Sequence, residues 1–458
     1  MNFKAVNREQ MLLLPPSLDE WLPEEHLAWF ILDAVEEMDL SGFYAKYRSD
    51  GTGQAAYHPQ MLLAVLLYGY CRGERSSRKL EQRCQEDVAF RVLAANQNPD
   101  HCTLARFRQD FETELSAVFT QVLRLCQKAG LLKVGKVALD GTKLKANAAL
   151  DANKTLAGIE AEVKRMLSEA QHEDEREDQL FGKDKRGDEL PADLRERGSR
   201  RARLKECKER LEQEAAESRR GQEEKLAARE KEEQERGEKL RGRKPLAPEE
   251  KVDPDSKANV TDPQSRIMKT RSGYVQGYNG QALVDEGQVI IAADVTDEEN
   301  DQRQFRPMLG QAQANLAAVK AVVAIGAVLL DAGYCSEETL SLEGKKVEDL
   351  GRVPELFCAT AKGWKVRQAL REHGPPRGRR PQGLNARERM ERKLRTKRGR
   401  KFYSKRGEIV ESIFGQIDTV QDGKQCSRRG LTAARSEWRF TCAASNLLKL
   451  WRRQRAGI

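Results

Sequence analysis

Between Thr155 and Asp253 about half of the residues are charged, with the signs interleaved, as in Lys205-Glu-Cys-Lys-Glu-Arg-Leu-Glu-Gln-Glu214. Leu167, Leu204, Leu211 and Leu226 are among the few apolar positions, too few to build a core. Such a stretch cannot bury enough apolar surface to offset its own ordering, so it reads as a solvated helical hairpin or partly disordered arm. Any compact domain must therefore be assembled from the segments on either side. The chain of 458 residues leaves ample room for that. The apolar patterning divides it into a helical block at 1–130, a strand-bearing block at 131–154 and 254–453, and the charged insertion at 155–253.

In the helical block Pro23 suits a first helical position, and Leu27, Phe30, Ile31, Ala34, Val35 and Met38 follow at helical spacing. His58-Pro59 opens a second helix that runs to Cys71. Ser76 or Ser77 caps a short, partly basic third, and Thr103 reads as the cap of a long fourth that ends at Gly130. A helix, tight turn and basic helix can read DNA, although most such pairs in helical domains merely pack.

Strand signals start at Val134. The run Val137-Ala-Leu-Asp-Gly-Thr-Lys-Leu-Lys-Ala-Asn147 carries one carboxylate, Asp140, on the face opposite Val137 and Leu139. A buried carboxylate is costly unless it is paired or holds a cation, whereas Asp-Gly by itself is a common turn pair. Two strands, Gly277–Asp285 and Val289–Val295, flank the hairpin-sized gap Glu286-Gly-Gln288. The apolar run Val322–Leu330 reads as a central strand buried on both faces, and it stops at Asp331. With a further strand at Leu356–Thr360 and helices between, the fold class is α/β, a mixed sheet with helices.

Lys and Arg total 81 against 72 Asp and Glu, a net charge of +9. Distribution says more than the total: from Arg377 to Arg406 fourteen basic residues face only Glu388 and Glu391. A solvated face usually mixes signs, so this strip points to phosphates. The nine cysteines are scattered, with no Cys-x-x-Cys pair, which predicts reduced thiols in the cytoplasm. The longest apolar stretches, Met61–Cys71 and Ala321–Leu330, have core length rather than membrane length, so no membrane association is expected.

Asp140 follows a strand, Asp331 ends another, and Glu411 lies on a helix behind the basic strip. Hard oxygen ligands of this kind hold magnesium, and two such ions stabilise both oxygens of an in-line phosphoryl transfer. Glu408, one turn earlier, is the fallback for the third acid.

These residues resemble the DDE transposases of bacterial insertion sequences, in the subgroup with a helical N-terminal domain and a Tyr-Arg-Glu-Lys signature. The likeness is carried by His58-Pro59, Arg78 and Thr103-Leu-Ala-Arg-Phe-Arg108, by Leu139-Asp-Gly-Thr-Lys-Leu-Lys-Ala-Asn147 and by Asn259-Val-Thr-Asp-Pro-Gln-Ser-Arg-Ile-Met268. Tyr278-Asn-Gly-Gln-Ala282, Leu330-Asp-Ala-Gly-Tyr334 and Tyr403-Ser-Lys-Arg-Gly-Glu-Ile-Val-Glu-Ser-Ile-Phe-Gly-Gln-Ile-Asp418 complete it. The resemblance implies an RNase H-like catalytic fold and two Mg2+ ions, replaceable by Mn2+, on Asp140, Asp331 and Glu411. It implies Tyr403 and Arg406 at a DNA phosphate, and a homodimer on double-stranded DNA in the nucleoid. Lys143, Arg398, Arg400, Lys401 and Lys405 are the further cations expected on DNA. Asp418 stands where the signature has lysine; Lys424, Arg428 or Arg429 are the available substitutes. The competing readings are a nuclease of the same fold and a DNA-binding descendant that has lost its chemistry.

Overall fold

The computed structural model describes residues 17–47, 55–166, 200–239, 245–250, 253, 255–270, 273–321, 324–361 and 381–456, with isolated positions besides. Leu167, the early part of the charged insertion, the start of the Val322 run, Arg377 and Arg380 lie outside the described residues. The chain divides into two compact units. The first is Met1–Leu144 with Asn279–Ser427 and Thr432–Ile458; the second is Lys145–Tyr278 with Arg428–Leu431.

The strands are β1 (Lys136–Lys145), β2 (Asn153–Thr155), β3 (Lys257–Asn259), β4 (Arg266–Thr270), β5 (Gly273–Asp285), β6 (Ile290–Thr296), β7 (Ala327–Leu330), β8 (Lys346–Val347), β9 (Gly351–Arg352) and β10 (Glu355–Cys358). Six of them form the main sheet in the order β10-β7-β1-β5-β4, and β6 also pairs with β5. β1, β7 and β10 run parallel. β5 and β6 are antiparallel about the expected turn at Glu286–Gln288. All four residues of β7 are buried, which is what a continuous apolar run becomes in the middle of a covered sheet. The mixed sheet with helices is an RNase H-like α/β arrangement.

β1 is longer than the turn reading of Asp140-Gly141 allows, because the strand continues through both residues to Lys145. Gly141 is there for space. A Cβ on it would lie 2.6 Å from Gln281 Nε2 and 2.8 Å from Asp301 Oδ1. Gly280 serves the same end, since a Cβ there would meet Leu144 Cδ1 at 2.8 Å and Trp438 at 3.3 Å.

The N-terminal helices belong to the first unit. Pro59 occupies the first turn of the helix Pro59–Arg72 behind the cap His58, as expected. The first α-helix starts at Leu27 instead of Pro23, because His26 Nδ1 caps it by accepting from Ala28 N at 3.2 Å. Thr103 is not a cap: Asp100 accepts its backbone N–H at 2.8 Å. The long fourth helix is two, His101–Asp110 and Glu112–Lys128, broken at Phe111, whose ring stacks on Phe43 and Tyr47.

In the turn between the helices Pro59–Arg72 and Ser77–Glu86, Arg75 is buried while Ser76 is exposed. Arg75 pairs with Glu437 of the C-terminal helix Leu431–Arg455 at 2.6 Å. It also donates to the carbonyls of Asp422 and Gln425, while Arg108 donates to the Arg75 carbonyl. The same C-terminal helix completes the sheet: Asn446 both accepts from and donates to the backbone of Ile290, each at 2.9 Å.

In the second unit the helix Arg200–Arg236 is charged along its length, with pairs such as Arg229–Glu233 four residues apart. Its first part does more than the sequence indicates. Leu204, Cys207 and Leu211 are buried with Ile159, Ala258 and Val260 in a small core of their own. One face of three residues suffices here because β3 and a neighbouring helical segment supply the other half. Leu204→Ala is expected to cost about 2–5 kcal/mol of this unit's stability, read by urea denaturation. A loss below about 0.5 kcal/mol would show that the cluster is not a core.

Candidate active site

The register of the parallel strands builds the site. Leu139 of β1 lies beside Leu330 of β7, so the next residue on each strand, Asp140 and Asp331, emerges at the same sheet edge. Asp331 is held as a cap: its Oδ1 accepts from Gly333 N at 2.8 Å over the short turn Ala332–Tyr334. Cys358, from the next parallel strand, donates its Sγ–H to the Asp331 carbonyl at 3.4 Å. Asp140 Oδ1 accepts from Gly141 N at 3.0 Å, and Asp140 Oδ2 pairs with Arg406 Nη2 at 2.8 Å.

Burial pushes Asp140 up to about 6; Arg406 works against that rise and Asp331 adds to it. Burial works to lower Arg406, but Asp140, Tyr403 and Asp331 together outweigh it and hold its guanidinium above its ordinary value. A desolvated carboxylate next to a second carboxylate is short of positive charge, and one arginine supplies only part of it. The two aspartates are hard oxygen donors, so a divalent cation fits the deficit.

Tyr403 also reaches this place. Burial pushes its phenol up to about 12, with Arg406 opposing and Asp331 adding to the rise. Arg406 Nε is buried and has no hydrogen-bond partner among the described residues. Both residues flank the start of the helix Lys405–Thr419, which also carries Glu411.

Glu411 is exposed, and its carboxylate folds back on its own helix, 3.5 Å from where a Cβ on Gly407 would be. Among the described residues no three His, Cys, Asp or Glu side chains stand close enough to share one metal ion. The structure thus brings Asp140 and Asp331 together and does not group Glu411 with them. Glu408 pairs with Lys405 at 2.6 Å.

The basic strip folds into the helices Ala386–Arg395 and Lys397–Tyr403. Arg398 is engaged by Glu355 at 2.6 Å, and Lys393 by Glu343 and Glu355. Arg400 and Lys401 are exposed without an ion pair among the described residues. Lys143 is half-buried and donates to the Glu299 carbonyl at 2.7 Å; burial lowers its pKa, against Asp301 and Glu299. Asp418 forms an ion pair with Lys424.

Four residues of the site carry no role in the sequence reading: Asn279, Gln281, Asp301 and Tyr334. Asn279 and Gln281 are fully buried on β5, and both donate to Asp301 Oδ1, at 2.7 and 2.8 Å. Tyr334, also buried, donates to Gln281 Oε1. The available signal was the set of uncharged polar side chains Gln276, Asn279 and Gln281 within one strand.

Comparison with known families agrees with this geometry. A transposase domain model (DUF772) matches residues 16–110, and a transposase DDE domain model matches residues 241–447. The chain is a DDE-type transposase. No curated protein and no solved structure matches it. The DDE match contains Asp331 and Glu411 but begins after Asp140, which the register of β1 with β7 sets beside Asp331. The family acts on DNA and uses divalent metal. Among the described residues no helix is long and apolar enough to cross a membrane.

Proposed function

We propose that this insertion-sequence transposase cuts DNA at the ends of its element and joins each freed 3′-hydroxyl to target DNA. The observation that carries the reading is the side-by-side emergence of Asp140 and Asp331, with Arg406 ion-paired to Asp140. Asp140 and Asp331 are the residues that would hold the magnesium or manganese ions, with Glu411, which stands apart from them here, as the third acid that the resemblance implies. When bound, the ions supply Lewis acidity to the attacking and leaving oxygens of an in-line displacement.

The chain's own residues do the rest. The Arg406 guanidinium grips a phosphate oxygen of the strand to be cut, and Tyr403 packs beside it. Arg400 and Lys401 neutralise neighbouring phosphates. In cleavage, water attacks phosphorus and the 3′-oxygen leaves as a hydroxyl. In joining, that hydroxyl attacks a target phosphodiester, whose own 3′-oxygen departs. Both element ends must be held at once, so we assign the acting species as a homodimer on DNA, in the cytoplasm at the nucleoid. Residues 1–130 are its end-binding part, 131–154 and 254–453 its catalytic part, and 155–253 an inserted arm.

Strand transfer with the inverted repeats that bracket the gene, with and without Mg2+, tests the reading. Joined product only in the presence of metal supports it. Cleavage without joining points to a nuclease, and binding without cleavage to a DNA-binding descendant.

Asp418 gives a separate prediction. Its carboxylate neutralises Lys424, so Asp418→Lys frees one cation and adds another. If this end of the helix faces the DNA backbone, the salt slope of binding should steepen by at least about one unit, together with higher affinity. Affinity measured against salt for both variants decides it. An unchanged slope means that Asp418 does not face DNA.

A further inference from the structure

Asp301 has a setting that turn-making does not explain. Its backbone carbonyl accepts from Gln304 N at 3.0 Å, which already accounts for its place in the loop. The side chain is turned inward instead. Oδ1 accepts from both Asn279 Nδ2 and Gln281 Nε2, which fix the carboxylate's orientation.

The glycines show where that carboxylate lies. A Cβ on Gly141, the residue after Asp140, would stand 2.8 Å from Asp301 Oδ1 and 3.1 Å from Asn279 Oδ1. A Cβ on Gly333, two residues after Asp331, would stand 3.1 Å from Asp301 Oδ2 and 3.0 Å from Asp331 Oδ1. Asp301 is therefore packed against the glycine that follows each of the two aspartates, in space that only missing side chains leave open. Asn279 Oδ1, fully buried beside Gly141, has no hydrogen-bond partner among the described residues. The charged and titratable groups facing this carboxylate are Asp140, Asp331, Tyr334 and Lys143, with Arg406 beyond Asp140. Three acids outnumber the cations that reach them. A fold keeps such an excess where a further cation joins it.

We infer that Asp301 is a third inner acid of the cation centre, a positioning residue whose Oδ1 is locked by Asn279 and Gln281 and whose Oδ2 adds negative charge beside Asp331. The inference rests on the reading that Asp140 and Asp331 hold a divalent cation. Asp301 is not required to touch the ion: a carboxylate behind the ligands strengthens binding through an ordered water or through the field alone.

Mn2+ alone is the probe, titrated into the DNA-free full-length protein and followed by electron paramagnetic resonance. Asp301→Asn keeps the shape and an acceptor for the two amides but removes the charge; Glu299→Gln, exposed on the same loop, removes the same charge away from the centre. Asp301→Asn should weaken Mn2+ binding about tenfold to a hundredfold, and Glu299→Gln by less than twofold. Asp301→Ser takes its place if the asparagine variant does not melt cooperatively. Binding by either Asp301 variant within twofold of the parent, while Asp140→Asn loses Mn2+, overturns the role of Asp301 alone. Parent-like Mn2+ binding by Asp140→Asn overturns the underlying reading of the centre.

Discussion

Asp140→Asn is expected to lower strand cleavage by about a thousandfold or more while the protein still folds. The expectation follows from where the carboxylate is and what surrounds it. Asp140 emerges beside Asp331, is largely buried, and has Arg406 as its counter-charge. A metal ion that stabilises developing charge on the reacting oxygens is worth several kcal/mol of barrier, and about 4 kcal/mol is a thousandfold in rate. Asparagine keeps an oxygen for the Arg406 N–H but no charge for the ion. Single-turnover cleavage of a duplex carrying the element's inverted repeat, with Mg2+, is the measurement, and a thermal melt of the same sample checks the fold. Cleavage within tenfold of the parent would remove Asp140 from the centre. It would also leave the DDE match, which starts at residue 241, without a first acid.

The two aspartates were legible because each signal is local. An apolar strand stops at an acid, and alternation says which way that acid points. Their meeting depends on β1 and β7 being neighbours, which the apolar run at Val322–Leu330 made plausible but did not fix. Asp301 was not legible, since Asp297-Glu-Glu-Asn-Asp301 looks like a solvated acidic loop. Its importance comes from Asn279, Gln281, Gly141 and Gly333, all distant in sequence. The basic strip shows the same limit. Its composition announces positive charge, yet Glu343 and Glu355 engage Lys393 and Arg398, leaving Arg400 and Lys401 the better candidates for phosphate. In the charged insertion, Leu204, Cys207 and Leu211 share one helix face, but the partners Ala258 and Val260 that make it a core lie beyond the insertion.

The largest stability effect is expected where the N-terminal helices meet the C-terminal helix. Arg75 and Glu437 are paired at 2.6 Å with side chains 9% and 3% exposed. Glu437 also accepts from Ser427 N and Oγ and from Tyr70 Oη, so its oxygens are well satisfied. Removing one partner strands the other as a buried, uncompensated charge, which costs about 3–5 kcal/mol. Arg75→Met, close in length but uncharged, should therefore destabilise the protein by that amount at pH 7, read by urea denaturation. The pH dependence has a definite sign. Burial alone would raise the Glu437 pKa, but Arg75 and the Ser427 donors outweigh it and hold it below the ordinary glutamate value. A lowered carboxylate binds fewer protons folded than unfolded, so its stabilisation is present above the unfolded pKa of about 4.3 and is lost as pH falls through the folded value. The parent should consequently lose stability below about pH 4.3 while the variant, already without the pair, loses less. The gap between them should narrow as acid is added. A gap of constant width down to the acid-unfolding region would show that the variant fails by poor packing, and that the ion pair contributes nothing of its own.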